Sequence, residues 1–189
     1  MHQMQTNGSL GQQFWEKVTP HHVYHAFLKG EFARLSEPIR LTEKTLIEKP
    51  DLSDAEQNSK RFALLVQIRG PLLQWIPCST EWYLVKSLEE THLHQLLVIA
   101  RCGWDSPSDR NELFSVAMRK LITLHTNPND WATPILWGHT KEGPFTILEG
   151  NNRLVAYTST NPRPKLSIPV YIGLSRDYCV WHYLDPICS

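Results

Sequence analysis

Cysteine is scarce in this 189-residue chain: only Cys78, Cys102, Cys179 and Cys188 are present, and no two of them form a C-x-x-C pair. That spacing argues against a compact zinc knot or a redox dithiol and leaves buried or idle thiols as the plain reading. Net charge is missing too, because 19 Lys and Arg balance 19 Asp and Glu. No global field therefore recruits polyphosphate or anionic membrane, and a nucleic-acid role would need a local basic patch. No apolar run reaches the roughly 18 residues that suggest a spanning helix. The polar start "MHQMQTNGS" lacks the basic and apolar regions of a signal peptide. Together these absences lead us to expect a cytoplasmic protein with no membrane partner.

What the chain does have is length and tryptophan. Its length suits one domain, or one domain with an elaboration, and allows a real core. Trp75, Trp82, Trp104, Trp131, Trp137 and Trp181 run from the middle of the chain to its end, and such residues report a core or a cleft wall without naming a ligand.

The N-terminal part, residues 1–74, reads as a mostly helical elaboration. In residues 12–34, Phe14, Val18, Val23, Tyr24, Phe27 and Leu28 recur at helical spacing. They predict two short amphipathic helices broken near Thr19 and Pro20, with Thr19 as N-cap and Pro20 opening the second. "EPIRLTEKTLIEKP" reads as extended or irregular, and a further helix is expected from about Ser53, checked at Gly70-Pro71.

From residue 75 onward the character changes to mixed α and β. "EWYLVKSL" has strand composition, and a short polar turn or helix precedes a strand candidate over Gln95 to Ala100. Leu113, Val116, Ala117, Leu121 and Leu124 share one face of a strongly amphipathic helix. Pro134 to Gly138 and Phe145 to Glu149 then predict an antiparallel hairpin. A short helix from Asn151 to about Thr158, a Pro-rich loop and the strand "SIPVYIGL" complete the pattern.

The junction "FTILEGNNRLVAY" carries the most chemistry. A strand ending at Glu149 and a helix starting near Asn151 aim free backbone N–H groups, and the positive end of a helix dipole, at whatever lies above Gly150. Asn151 and Asn152 add amide donors, and Arg153 offers a forked cation suited to phosphate or carboxylate. Glu149 is suited to holding Mg²⁺, orienting Arg153 or taking a proton from an attacking hydroxyl. The plain alternative is a turn at Gly150, a cap at Asn151 and an arginine paired with a surface acid.

Residues from about Asp105 to Leu174, a little over a third of the chain, resemble the core of the ParB/sulfiredoxin-like superfamily. The pieces that carry the resemblance are the helix around Leu113 to Leu124, "TPILWG", "FTILEG", "NNRLVAY" and "SIPVYIG". The resemblance implies an α/β (α+β) mixed-sheet core over residues 75–189. It also implies binding of a nucleoside triphosphate, ATP or CTP with Mg²⁺, with Gly150, Asn151, Asn152 and Arg153 as the phosphate loop. Phosphotransfer to a small-molecule hydroxyl, as in a small-molecule kinase, or NTP hydrolysis would follow, with Glu149 as the first candidate for metal or base duty. Asn151 and Asn152 stand where sulfiredoxins carry Cys and His, so sulfiredoxin chemistry lacks its thiolate. A ParB-type helix-turn-helix domain would have to fit after the closing strand, where little sequence remains. Rival readings are a non-catalytic nucleotide- or anion-sensing module and a nuclease or DNA-associated protein, the latter disfavoured by the charge balance despite Arg163 and Lys165.

Other groupings are weaker. His21 and His25 share a helix face at a chelating spacing, but no acid or cysteine is tied to them, and a polar helix face is the commoner account. His92 with His94, and Cys179 with His182, match no catalytic signature. Ser175, Arg176 and Asp177 follow the last strand, and either reach the cleft of the Gly150 turn or form a surface loop. Asp105, Asp109 and Glu112 open the amphipathic helix and are further candidates for a base.

Overall fold

Strands β4 (Ile135–Gly138) and β5 (Phe145–Glu149) are buried at every position, the mark of strands covered on both faces. They lie inside a six-stranded mixed sheet in the order β1-β2-β6-β4-β5-β3. The other members are β1 (Trp15–Val18), β2 (Glu81–Val85), β3 (Leu96–Val98) and β6 (Val170–Leu174). β1 with β2, β2 with β6, and β4 with β5 are antiparallel; β4 with β6 and β3 with β5 are parallel. The computed structural model describes residues 14–74, 76–98, 132–160, 165–177, 180–181 and 186–187. The expected amphipathic helix over Leu113 to Leu124 lies outside them, as do Asp105, Asp109, Glu112, Arg163, Cys179 and His182.

Helices α1 (Pro20–Glu31), α2 (Glu37–Glu48) and α3 (Ala55–Leu73) precede the sheet strands β2 to β6. One core cluster joins Val23, Phe27 and Leu28 of α1 and Leu65 of α3 to Trp82, Ile135, Trp137 and Leu148 of the sheet. A second joins Leu136, Phe145, Ile147, Val170 and Ile172 to Leu154. Leu154 belongs to α5 (Asn151–Thr160), which follows the short α4 (Glu90–Leu93) in the chain. The chain is thus an α+β protein whose sheet has apolar layers on both sides.

Two expectations for the N-terminal part are corrected. Residues 15–18 are a strand, not a helix: Trp15 pairs with Val85 and Val18 with Trp82. Lys17 meets Glu81 at 2.5 Å, and the rings of Trp15 and Tyr83 stand edge to face at 5.7 Å. A four-residue segment has little helical preference to oppose such cross-strand pairing. Residues 37–48, read as extended, are helical. Pro38 sits in the first turn, where its missing N–H costs nothing, and Ser36 occupies the N-cap position.

Other junctions follow the sequence closely. Thr19 occupies the N-cap of α1 with Pro20 behind it. Asp54 caps α3 by accepting from the N–H groups of Glu56 and Gln57 at 2.9 and 3.0 Å. Arg61, 1% exposed, ties α3 to α2 and to the connection between them by donating to the carbonyls of Leu46 and Asp51, and it also donates to the side chains of Gln57 and Asn58. Near its end α3 kinks, with Arg69 at non-helical φ −134° and ψ 20°. Pro71 has no N–H to give the carbonyl one turn earlier, which accounts for a break here. Among the described residues no helix is long and apolar enough to cross a membrane.

Candidate functional site

β5 ends in a bulge that decides where Glu149 goes. Ile135 pairs with Glu149 and Leu136 with Ile147, so one step on β4 matches two on β5 and Leu148 is the extra residue. Strict alternation would have placed Glu149 with Phe145 and Ile147. The bulge turns it instead to the side of its partner Ile135, which packs with α1.

There Glu149 meets α1 at Gly30. A Cβ on Gly30 would stand 3.0 Å from Glu149 Oε1 and 3.3 Å from its Cγ and Cδ, so only a glycine leaves the carboxylate this room. The next residue in the chain after Glu149 is Gly150, at φ +96°. This left-handed turn, strained for any other residue, reverses the backbone so that α5 begins at once.

Arg153 folds back from the first turn of α5. Its Nη2 donates to Glu149 Oε1 at 3.0 Å and its Nη1 to the carbonyl of Ala132 at 2.9 Å. The pair is largely out of water, with side chains 22% exposed for Arg153 and 10% for Glu149. Burial, the largest influence, pushes the Glu149 carboxyl above the ordinary carboxylate range; Arg153 pulls it down, Glu31 pushes it up, and Arg34 and Arg69 pull it down. Burial likewise lowers Arg153. Desolvation therefore outweighs the attraction between the partners, as expected of a pair held inside a protein.

A second set of charges adjoins this pair. Glu31, whose side chain is 6% exposed, accepts from Arg34 Nη1 at 3.0 Å and from Arg69 Nη2. These residues come from the end of α1, the 3-10 turn Phe32–Arg34 and the kink of α3. Arg34, Arg69 and Arg153 are thus gathered around the carboxylates of Glu31 and Glu149, three cations to two anions. Sequence reasoning missed Gly30, Glu31, Arg34 and Arg69. The signal for them was slight: a glycine inside a helical run, which marks close approach, and an acid three residues before an arginine.

Asn151 Nδ2 donates to the carbonyl of Ile147 at 3.4 Å, while its Oδ1 is buried with no hydrogen-bond partner. That oxygen lacks a donor, which a ligand hydroxyl or a water would supply. Asn152 lies in the first turn of α5.

Several sequence candidates are not brought to this place. Ser175 donates its N–H to the carbonyl of Gly138 at 3.0 Å, and Gly138 pairs with Phe145 at the far end of β5. Ser175, Arg176 and Asp177 therefore lie away from the Gly150 turn, because β6 runs antiparallel to β5. Lys165 pairs with Glu89 at 3.1 Å. His25 Nε2 is taken by the carbonyl of Ile47 at 2.7 Å, and His21 stands edge-on to Tyr24. His92 stacks at a tilt on Phe145, while His94 meets Glu90 at 3.4 Å. Among the described residues no three His, Cys, Asp or Glu side chains are grouped to hold a metal ion. Cys78 is free and exposed. Comparison with protein-family models, with characterised proteins and with solved structures returns no match.

Proposed function

We propose that the chain binds a nucleoside triphosphate, ATP or CTP, with its phosphates seated on the turn Gly150, Asn151, Asn152 and Arg153. The observation that carries this reading is the gathering of Arg34, Arg69 and Arg153 around two buried carboxylates at that turn. Buried ion pairs contribute little net stability, since desolvation offsets their attraction. The largely buried Glu149–Arg153 pair at the strand-to-helix junction, with Glu31, Arg34 and Arg69 beside it, is better accounted for by ligand chemistry. A polyanion there would meet the N-terminal dipole of α5 and forked guanidinium donors together. The resemblance of "TPILWG", "FTILEG", "NNRLVAY" and "SIPVYIG" to the ParB/sulfiredoxin-like core supports the same ligand.

Turnover would be phosphoryl transfer to a small-molecule hydroxyl, or NTP hydrolysis. Mg²⁺ would neutralise the phosphates, and Glu149 is the group of the turn fitted to serve as base or metal ligand. Its raised affinity for a proton suits a base. A second reading, a non-catalytic nucleotide or anion sensor, is favoured by one specific contact: Arg153 already occupies Glu149 Oε1.

Calorimetric titration of the full chain with ATP, CTP and ADP, each with and without Mg²⁺, tests the binding. Saturable binding of a triphosphate is expected, and no heat with any of the three would overturn it. Product analysis with the bound nucleotide then separates the two readings, since a sensor leaves it intact.

A further inference from the structure

The end of α1 touches both halves of the charged cluster within two residues. Gly30 carries the backbone against Glu149, and Glu31 holds Arg34 and Arg69. Glu31 and Arg34 lie close enough to act electrostatically on both Glu149 and Arg153. Of the three arginines, Arg34 is the most open: its side chain is 59% exposed, against 28% for Arg69 and 22% for Arg153. One of its nitrogens is committed to Glu31, which leaves the rest of its planar fork for another acceptor.

Like charges on Arg34 and Arg153 work against each other. A ligand anion carrying more than one charge offsets that opposition more fully than a single carboxylate does. Glu149 and Arg153 are largely buried, so Arg34 is the arginine of the cluster most accessible to an anion arriving from solvent.

We propose that Arg34, oriented by Glu31, is the contact for the terminal phosphates of a polyphosphate ligand. The N-terminal helices thereby complete the site rather than only buttressing the sheet. This rests on the reading that the Gly150 turn seats phosphate. Glu31 is the positioning residue, and Arg69 shares its carboxylate from the kink of α3. A ligand with one phosphate would sit on the turn without reaching Arg34.

The test compares wild type, Arg34→Gln and Arg34→Lys by calorimetry with ATP, AMP and inorganic tripolyphosphate, with circular dichroism melts as the check on folding. Arg34→Gln is expected to weaken ATP and tripolyphosphate about tenfold or more, the value of a charge-assisted hydrogen bond, and to leave AMP within about twofold. Arg34→Lys keeps the charge but loses the fork, and should fall between. If Arg34→Gln does not fold, the same contrast is read from Arg34→Lys. Triphosphate affinity unchanged in the variants, or lost equally for AMP and ATP, would overturn the role of Arg34 while leaving the nucleotide site standing. Binding of tripolyphosphate alone, weakened by Arg34→Gln, would keep this role and sink the nucleotide reading. Wild type that binds none of the three sinks both.

Discussion

Glu149 and Gly30 approach one another closely across the two halves of the chain: a Cβ on residue 30 would stand 3.0 Å from the carboxylate, tighter than side chains ordinarily pack. Alanine in a helix is favoured over glycine by roughly 0.5–1 kcal/mol. At residue 30 that gain is opposed by the 3.0 Å approach to Oε1. Gly30→Ala should therefore change the unfolding free energy by less than about 1 kcal/mol. It should nonetheless shift Glu149 away from Arg153 and reduce the ATP affinity of the proposed nucleotide site. Urea unfolding and calorimetry on the same preparation check the two halves, and a variant that gains stability with unchanged affinity would contradict the contact.

The turn makes a separate prediction. Gly150 has φ +96°, and a Cβ there would have ordinary room, with its nearest neighbour Pro134 Cβ at 3.4 Å. The cost of Gly150→Ala is accordingly conformational, about 1–2 kcal/mol. Chemical denaturation should show that loss with an unchanged slope, and a much larger loss would mean that packing rather than φ is at stake.

Arg153 is not a surface arginine, and its removal will not leave folding untouched, as the turn alone would suggest. Arg153→Ala strands Glu149 in a site 10% exposed and takes a donor from the carbonyl of Ala132. Breaking a fully buried pair costs about 3–5 kcal/mol, and partial exposure of this one lowers the expected loss to about 2 kcal/mol. Replacing both partners, as Arg153→Met with Glu149→Gln, should recover part of that stability while abolishing the proposed phosphate binding. Denaturation midpoints for the single and double variants decide it; a double variant less stable than Arg153→Ala would refute the account.

pH offers a test that needs no ligand. Burial holds the Glu149 carboxyl above its ordinary value, in a setting shared with Glu31, Arg34, Arg69 and Arg153. The folded state then keeps a proton that the unfolded chain releases, so folding takes up a proton between the two values. The stabilisation is complete below the unfolded value and is lost as pH rises through the raised folded value. Wild type should thus lose stability relative to Glu149→Gln on going from mildly acid to neutral pH. Parallel pH profiles for the two proteins would show that Glu149 titrates normally.

Local chemistry fixed much of the framework. Asp54 as a cap, Pro20 behind Thr19, the strand-turn-strand of residues 135–149 and the glycine before α5 are each set by residues within a few positions of one another. Such features read directly from sequence because capping, proline geometry and turn preferences act over one turn. The pairing of Glu149 with Arg153 at i and i+4 was also within reach of local reasoning.

Other features depend on contacts between segments far apart in the chain. β1 is a strand because β2 lies beside it, and residues 37–48 are helical although their apolar pattern buries Ile47 alone among fully covered residues. The bulge at Leu148 reverses the facing of Glu149, which strict alternation in the sequence would place on the other side. Arg34 and Arg69 reach Glu31 from separate elements, and Gly30 meets Glu149 across more than half the chain. Periodicity carries no information on such meetings, since they depend on how packed layers bring distant segments together. Residues close in the chain set the strand, the left-handed glycine and the helix start at residues 149–151; the packing of α1 and α3 against the sheet set which charges surround them.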